Sequence, residues 1–121
     1  MTPYRLGRTG DVDVLFEGDQ LAHGTSKPNT RAKVRWSEVT IYRADSGRYV
    51  VEIVGASDFP GETDRRAATV CNDPEAVREA LYRPYGGSQG DRRFLTNLAR
   101  RVLTDAAAVD KALVPLLEER V

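Results

Sequence analysis

Between residues 35 and 55 the chain reads RWSEVTIYRADSGRYVVEIVG, two runs of β-branched and aromatic residues around Asp45-Ser46-Gly47. No other stretch restricts the fold as tightly. Such side chains suit a pleated, half-buried surface, and a polar tripeptide ending in glycine between two of these runs signals a hairpin. Loop length then decides which side chains share a face. A four-residue loop starting at Ala44 puts Val39 opposite Glu52 and mixes apolar with charged groups. A three-residue loop, with Gly47 left-handed in a bulge, pairs Ala44 with Arg48, Val39 with Ile53 and Ile41 with Val51. Because a slip of one residue exchanges the two faces, the unmixed apolar set selects the three-residue loop. Val39, Ile41, Val51 and Ile53 are therefore the expected core. The opposite face receives Thr40 with Glu52 and Tyr42 with Val50; Trp36 shares it, and Tyr49 does not.

The neighbouring segments extend the pattern. VDVLFEGDQLAHGTS, residues 12–26, predicts a first hairpin turning at Gly18-Asp19, with Phe16 opposite Leu21, Leu15 opposite Ala22 and His23 opposite Val14. Residues 24–33 read as a polar loop. AATVC, residues 67–71, predicts a further antiparallel strand after a turn at Pro60-Gly61. A helix follows over 74–82, with Asp73 at the N-cap, Pro74 at the first helical position, Glu75 at the positive end of the dipole, and Val77, Ala80 and Leu81 as its buried stripe. Glycine-rich 83–91 connects it to a second helix over 91–121, capped by Asp91. There Leu95, Leu98, Ala99, Val102, Ala106, Val109 and Leu113 recur at helical steps. Pro115 breaks or kinks that helix near Asp110 to Val114, because it lacks a donor and collides with the preceding turn, and a short terminal helix is expected beyond it.

Strands first and helices last predict a single α+β domain over residues 1–121: an antiparallel sheet of about five strands, with two C-terminal helices packed on one face. Two β-hairpins fill residues 12–56. A chain of 121 residues buries a core without disulfides or metal. It has one cysteine, Cys71, and one histidine, His23. No internal disulfide and no Cys/His zinc site is expected from that pair, and a reducing cytoplasm is the expected location. The N-terminus shows no apolar signal region, and no apolar run approaches the roughly 18 residues of a membrane helix. No membrane association and no cofactor are expected.

Eighteen basic residues balance eighteen acidic ones, which argues against a dedicated nucleic-acid binder. The charges are segregated along the chain. Residues 23–49 hold six basic side chains against two acidic, residues 50–64 hold four acids and no base, and residues 83–101 hold five arginines against Asp91. Distinct positive and negative faces orient a partner; interleaved surface charge that cancels in three dimensions is the plainer reading.

Candidate chemistry is sparse. Asp58, Glu62 and Asp64 offer carboxylates for a divalent cation, but their spacing matches no calcium loop, and Arg65 and Arg66 stand beside them. Cys71 precedes a helix start, where a thiol becomes reactive, or simply ends a strand as a small buried residue. His23 reads either as a base or as a hydrogen-bonded structural residue. Lys27, Arg31, Lys33 and Arg35 beside Trp36 supply the cations and the aromatic ring of a single-strand nucleic-acid platform, without the signature of the common RNA-recognition fold. GGSQG lacks the lysine and hydroxyl ending of a phosphate loop.

The segment from Arg35 to Asp64 resembles small, arginine-rich bacterial proteins of chromosomes and mobile elements. The residues that carry the resemblance are Arg35-Trp36-Ser37-Glu38, Gly47-Arg48-Tyr49-Val50-Val51 and Gly61-Glu62-Thr63-Asp64. It implies no activity and assigns no functional residue. The expectation is a small non-enzymatic binding or regulatory protein that engages a protein partner through Trp36, Tyr42, Phe59, Arg65 and Arg66. A phage or mobile-element modulator of host machinery is one concrete form of it. The alternatives are a nucleic-acid-binding accessory protein using residues 27–36 and a divalent-metal hydrolase using the acidic 58–64 loop. Homodimerisation through the sheet face or last helix is a further expectation.

Overall fold

The computed structural model describes residues 2–82 and 95–118. Strands β1 (Thr2–Arg8), β2 (Asp11–Thr25), β3 (Arg35–Ala44), β4 (Tyr49–Ser57) and β5 (Arg65–Cys71) form one antiparallel sheet in sequence order. Helix α1 (Pro74–Tyr82), helix α2 (Asn97–Val109) and a terminal 3₁₀ helix (Lys111–Leu117) follow. The architecture is α+β, with three helical elements among the described residues: two helices and, past the break, a short terminal one.

The central hairpin has the register its apolar pattern demands. Val39 pairs with Ile53, Ile41 with Val51, Thr40 with Glu52 and Tyr42 with Val50. The Ala44 N–H donates to the Arg48 carbonyl, and Gly47 takes a φ of 86°, which a side chain would strain. At the next connection the Glu62 N–H donates to the Phe59 carbonyl across Pro60-Gly61.

The first hairpin is different from the one predicted. Residues 11–25 form one continuous strand, and the missing strand is β1, which turns into β2 at Thr9-Gly10. Gly18 is no turn. It pairs with Thr2 of β1 and with Ala44 of β3, where β2 passes from one neighbour to the other. A Cβ at Gly18 would lie 2.1 Å from the Arg43 carbonyl oxygen and 2.8 Å from Ala44 Cα. The glycine thus marks a close approach of two backbones, the other meaning glycine has within a strand. The register then shifts between Gln20 and Ala22. That bulge reverses the parity of the strand: Val14 and Phe16 point to one face of the sheet, and after Leu21 it is His23 that shares this face. Phe16 pairs with Tyr4 and His23 with Thr40, not with Leu21 and Val14.

Two cores result. On one face Ala22, Val39, Ile41, Tyr49, Val51, Ile53 and Cys71 pack with Val77 and Leu81 of α1, with Leu98, Val102, Leu103 and Ala106 of α2, and with Leu113 and Leu116 of the 3₁₀ helix. On the other, inner face, Leu6, Val14, Tyr42, Val50 and Ala68 form a smaller cluster against Tyr4 and Phe16. All five strands contribute to this second cluster because the sheet curls into a half-barrel. The β1–β2 turn returns to β5, where the Thr9 N–H donates to the Arg66 carbonyl at 2.9 Å and the Arg66 N–H to the Thr9 hydroxyl at 2.8 Å.

The helical elements start and stop for local reasons. Asp73 caps α1 by accepting from the Ala76 N–H. Thr96 caps α2 by accepting from the Ala99 N–H. The predicted cap at Asp91 and the 83–91 connection lie outside the described residues. The helix ends at Val109 because Asp110 adopts an extended backbone and caps the 3₁₀ helix by accepting from the Ala112 N–H. Pro115 lies inside that 3₁₀ segment, five residues beyond the break. The side chain of Asp110, buried at 7 % exposure, also accepts from the Tyr49 hydroxyl at 2.8 Å and from the Arg43 guanidinium at 3.1 Å. One carboxylate ties the helical layer to β3 and β4.

Candidate binding face

Beyond its apolar end the inner face turns polar. Cross-strand pairing places His23 beside Thr40, Thr40 beside Glu52 and Glu52 beside Ala68; the next row holds Thr25, Glu38, Val54 and Arg66, and Trp36 pairs with Ala56 beyond it. These side chains make close pairs. His23 Nδ1 lies 2.8 Å from Thr40 Oγ1, and His23 Nε2 lies 3.6 Å from Glu38 Oε1. The Trp36 indole donates to the second Glu38 oxygen at 3.0 Å. The Tyr42 hydroxyl donates to Glu52 at 3.4 Å.

Glu52 is the costly member. Burial raises its acid titration above the ordinary carboxylate range; Arg66, the Tyr42 hydroxyl and His23 oppose that rise, and Glu38 adds to it. Burial, with Glu52 close by, also pushes the Tyr42 phenol up to about 12. Folding therefore takes up a proton at Glu52 over the pH interval between its unfolded and folded values. The stabilisation is complete below the unfolded glutamate value of about 4.3 and is lost as pH rises through the higher folded value. Glu52→Gln keeps an acceptor for Tyr42 and removes the charge. It is expected to raise the urea midpoint relative to the native protein at neutral pH, and the difference is expected to close near pH 4. An unchanged or lower midpoint at neutral pH would show that the ionised carboxylate is well compensated.

Hydroxyl, imidazole and carboxylate here follow the order of a nucleophilic triad, but the arrangement does not support that chemistry. Thr40 is 4 % exposed in the middle of a central strand, so its hydroxyl cannot approach a substrate carbonyl. Cys71 is equally withdrawn: it is fully buried, and burial pushes its thiol up to about 11, away from the thiolate form a nucleophile needs.

The residues expected from sequence scatter over more than one feature. Trp36 and Tyr42 share the inner face, as the hairpin register requires, but Tyr42 is 6 % exposed beneath Tyr4 and Phe16. Its ring centroid lies 4.8 Å from that of Tyr4 and 5.3 Å from that of Phe16. Tyr42 is expected from the sequence as a contact residue; in the structure its ring lies beneath those of Tyr4 and Phe16. Phe59 is half-buried, with the Arg35 guanidinium 4.5 Å from its ring centroid. Arg66 is exposed on the inner face and pairs with Asp64 at 3.4 Å. Arg65 lines an open groove of about 930 Å³ at the same end of the sheet, together with Ser26, Arg35, Trp36, Gly55 and Glu62.

The three acids of the 58–64 loop go to three different bases. Lys27 lies 4.0 Å from Asp58, Arg35 pairs with Glu62 at 2.7 Å, and Arg66 pairs with Asp64. Arg35 holds the Glu62 carboxyl below its usual range, helped by a hydrogen bond from the Ser57 hydroxyl. Among the described residues no three His, Cys, Asp or Glu side chains converge as a metal site. The same pairs occupy Lys27 and Arg35 of the basic segment, and Lys27 also lies over the Trp36 ring at 4.3 Å. Arg31 and Lys33 are exposed in the loop between β2 and β3.

His23, Glu38, Thr40 and Glu52 are the members that sequence reasoning passed over as a site. The register of the central hairpin already set Glu38, Thr40 and Glu52 on the face of Trp36. Only the unbroken β2 and its bulge bring His23 to them. No helix among the described residues is long and apolar enough to cross a membrane. No family model matches the chain, and no curated protein or solved structure matches it.

Proposed function

We propose that the protein is a non-catalytic binding protein that engages a protein partner through the inner face of its sheet, which no helix among the described residues covers, at Trp36, Glu38, His23 and Arg66. One observation carries this reading. The face holds the half-buried Glu52 carboxylate, which accepts from Tyr42, and in the neighbouring row the Glu38 carboxylate, which accepts from the part-exposed Trp36 indole and lies 3.6 Å from His23. Perturbed ionisable groups cluster where a surface has work other than folding, and Trp and Arg are the side chains that anchor protein interfaces. Zero net charge and the internal pairing of Lys27 and Arg35 favour a protein over nucleic acid as the partner.

Affinity capture from the source cell tests this, with the native protein and the Trp36→Ala/Arg66→Ala variant as parallel baits. A protein enriched about tenfold or more by the native bait, equivalent to roughly 1.4 kcal/mol, is expected to fall to background with the variant. Equal enrichment by both baits would place the contact elsewhere on the molecule.

A further inference from the structure

We propose that His23, Glu38 and Trp36 form a pH-responsive relay that sets the position of the Trp36 ring on the inner face. The imidazole lies between two oxygens of β3, with Nδ1 2.8 Å from Thr40 Oγ1 and Nε2 3.6 Å from Glu38 Oε1. The other oxygen of Glu38 accepts from the Trp36 indole at 3.0 Å. A single carboxylate therefore links the only histidine of the chain to its only tryptophan. His23 and Glu38 both remain within reach of solvent protons, since the His23 side chain is 42 % exposed and that of Glu38 36 %.

The groups around His23 come from three strands. Thr40 and Glu38 belong to β3, Glu52 to β4, and Arg66 of β5 acts on the same Glu52. Lys27 lies over the Trp36 ring and is held by Asp58, which gives the indole a second tether. In a neutral imidazole one nitrogen donates and the other accepts, and 3.6 Å is longer than a hydrogen bond. Once protonated from solvent, both nitrogens donate. Nδ1–H then takes Thr40 Oγ1 as acceptor, and Nε2–H makes a charge-assisted contact with Glu38. The carboxylate closes on the imidazolium and withdraws from the indole, leaving the Trp36 ring to the Lys27 tether and to solvent. Histidine is the side chain most suited to such a proton-driven change. Its relevance to partner capture rests on the binding reading above; the relay itself does not.

Trp36 fluorescence measured on the isolated protein from about pH 8 to about pH 5, the imidazole range, reads the relay directly because no other indole contributes. A shift in emission with one midpoint is expected in the native protein. His23→Gln is expected to abolish it. Glu38→Gln, which keeps an amide oxygen for the indole and removes the charge, is expected to abolish it as well, and it serves should the histidine variant not fold. Glu52→Gln is expected to retain the transition. Flat native emission, a transition that survives in both His23→Gln and Glu38→Gln, or one lost in Glu52→Gln would overturn the relay. None of these results bears on the capture experiment, so the two readings fail separately.

Discussion

Gly18→Ala is expected to destabilise the protein by about 3 kcal/mol or more, enough to lower the melting temperature by roughly 10 °C. The reason is a collision that no rotamer relieves. The new Cβ would stand 2.1 Å from the Arg43 carbonyl oxygen and 2.8 Å from Ala44 Cα, both backbone atoms of a central strand. Relief requires β2 to move away from β3 where β2 also passes to β1. Had Gly18-Asp19 been a hairpin turn, the same substitution would cost only about 1 kcal/mol, the ordinary penalty of losing a glycine from a tight turn. Chemical denaturation of the two proteins separates the cases. A cost near 1 kcal/mol would contradict the continuous strand.

Asp110→Ala is expected to cost about 3 kcal/mol, because three interactions end on one buried carboxylate. The Ala112 N–H loses its cap, the Tyr49 hydroxyl loses its acceptor at 3 % exposure, and Arg43 loses its ion pair. Arg43 is half exposed, so its share is small; the cap and the stranded phenol dominate. Two further variants divide the cost. Asp110→Asn keeps an acceptor and a cap and is expected to recover most of the stability. In Tyr49→Phe/Asp110→Ala no hydroxyl is left stranded, so the double variant is expected to be less destabilised than the sum of the two single ones. Strict additivity in urea melts would show that the Tyr49–Asp110 bond contributes nothing.

The parts of this fold legible in the sequence are those where periodicity and turn chemistry agree. Asp45-Ser46-Gly47 and the alternation of Val39, Ile41, Val51 and Ile53 specify one register, and the structure has it. Asp73-Pro74 marks the start of α1 for the same reason. The N-terminal half misleads because Gly18 has two physical meanings, permissive backbone and absent side chain, and sequence context alone does not separate them. Reading it as a turn split β2 into two strands, and that error hid the loss of β1, whose TPYRLGR carries only a weak alternating signal. Five strands are expected and five are present; β3, β4 and β5 agree, and only the N-terminal pair is divided differently.

The same ambiguity governs the site. The hairpin register sets Glu38, Thr40 and Glu52 on the Trp36 face, but nothing in the local sequence says how deeply that face is buried. The half-barrel half-buries Glu52, and the bulge after Gln20 turns His23 inward; neither effect is local in sequence. The acidic loop, by contrast, draws attention by composition alone. In the structure its carboxylates serve Lys27, Arg35 and Arg66 one by one.

The central claim, that the inner face of the sheet is the binding surface, is tested most directly by amide hydrogen exchange of the protein alone and bound to its captured partner. Added protection is predicted at residues 23–25 of β2, 36–40 of β3 and Arg66 of β5. Protection confined to α1, α2 and the 3₁₀ helix, with these strand amides unchanged, would contradict it.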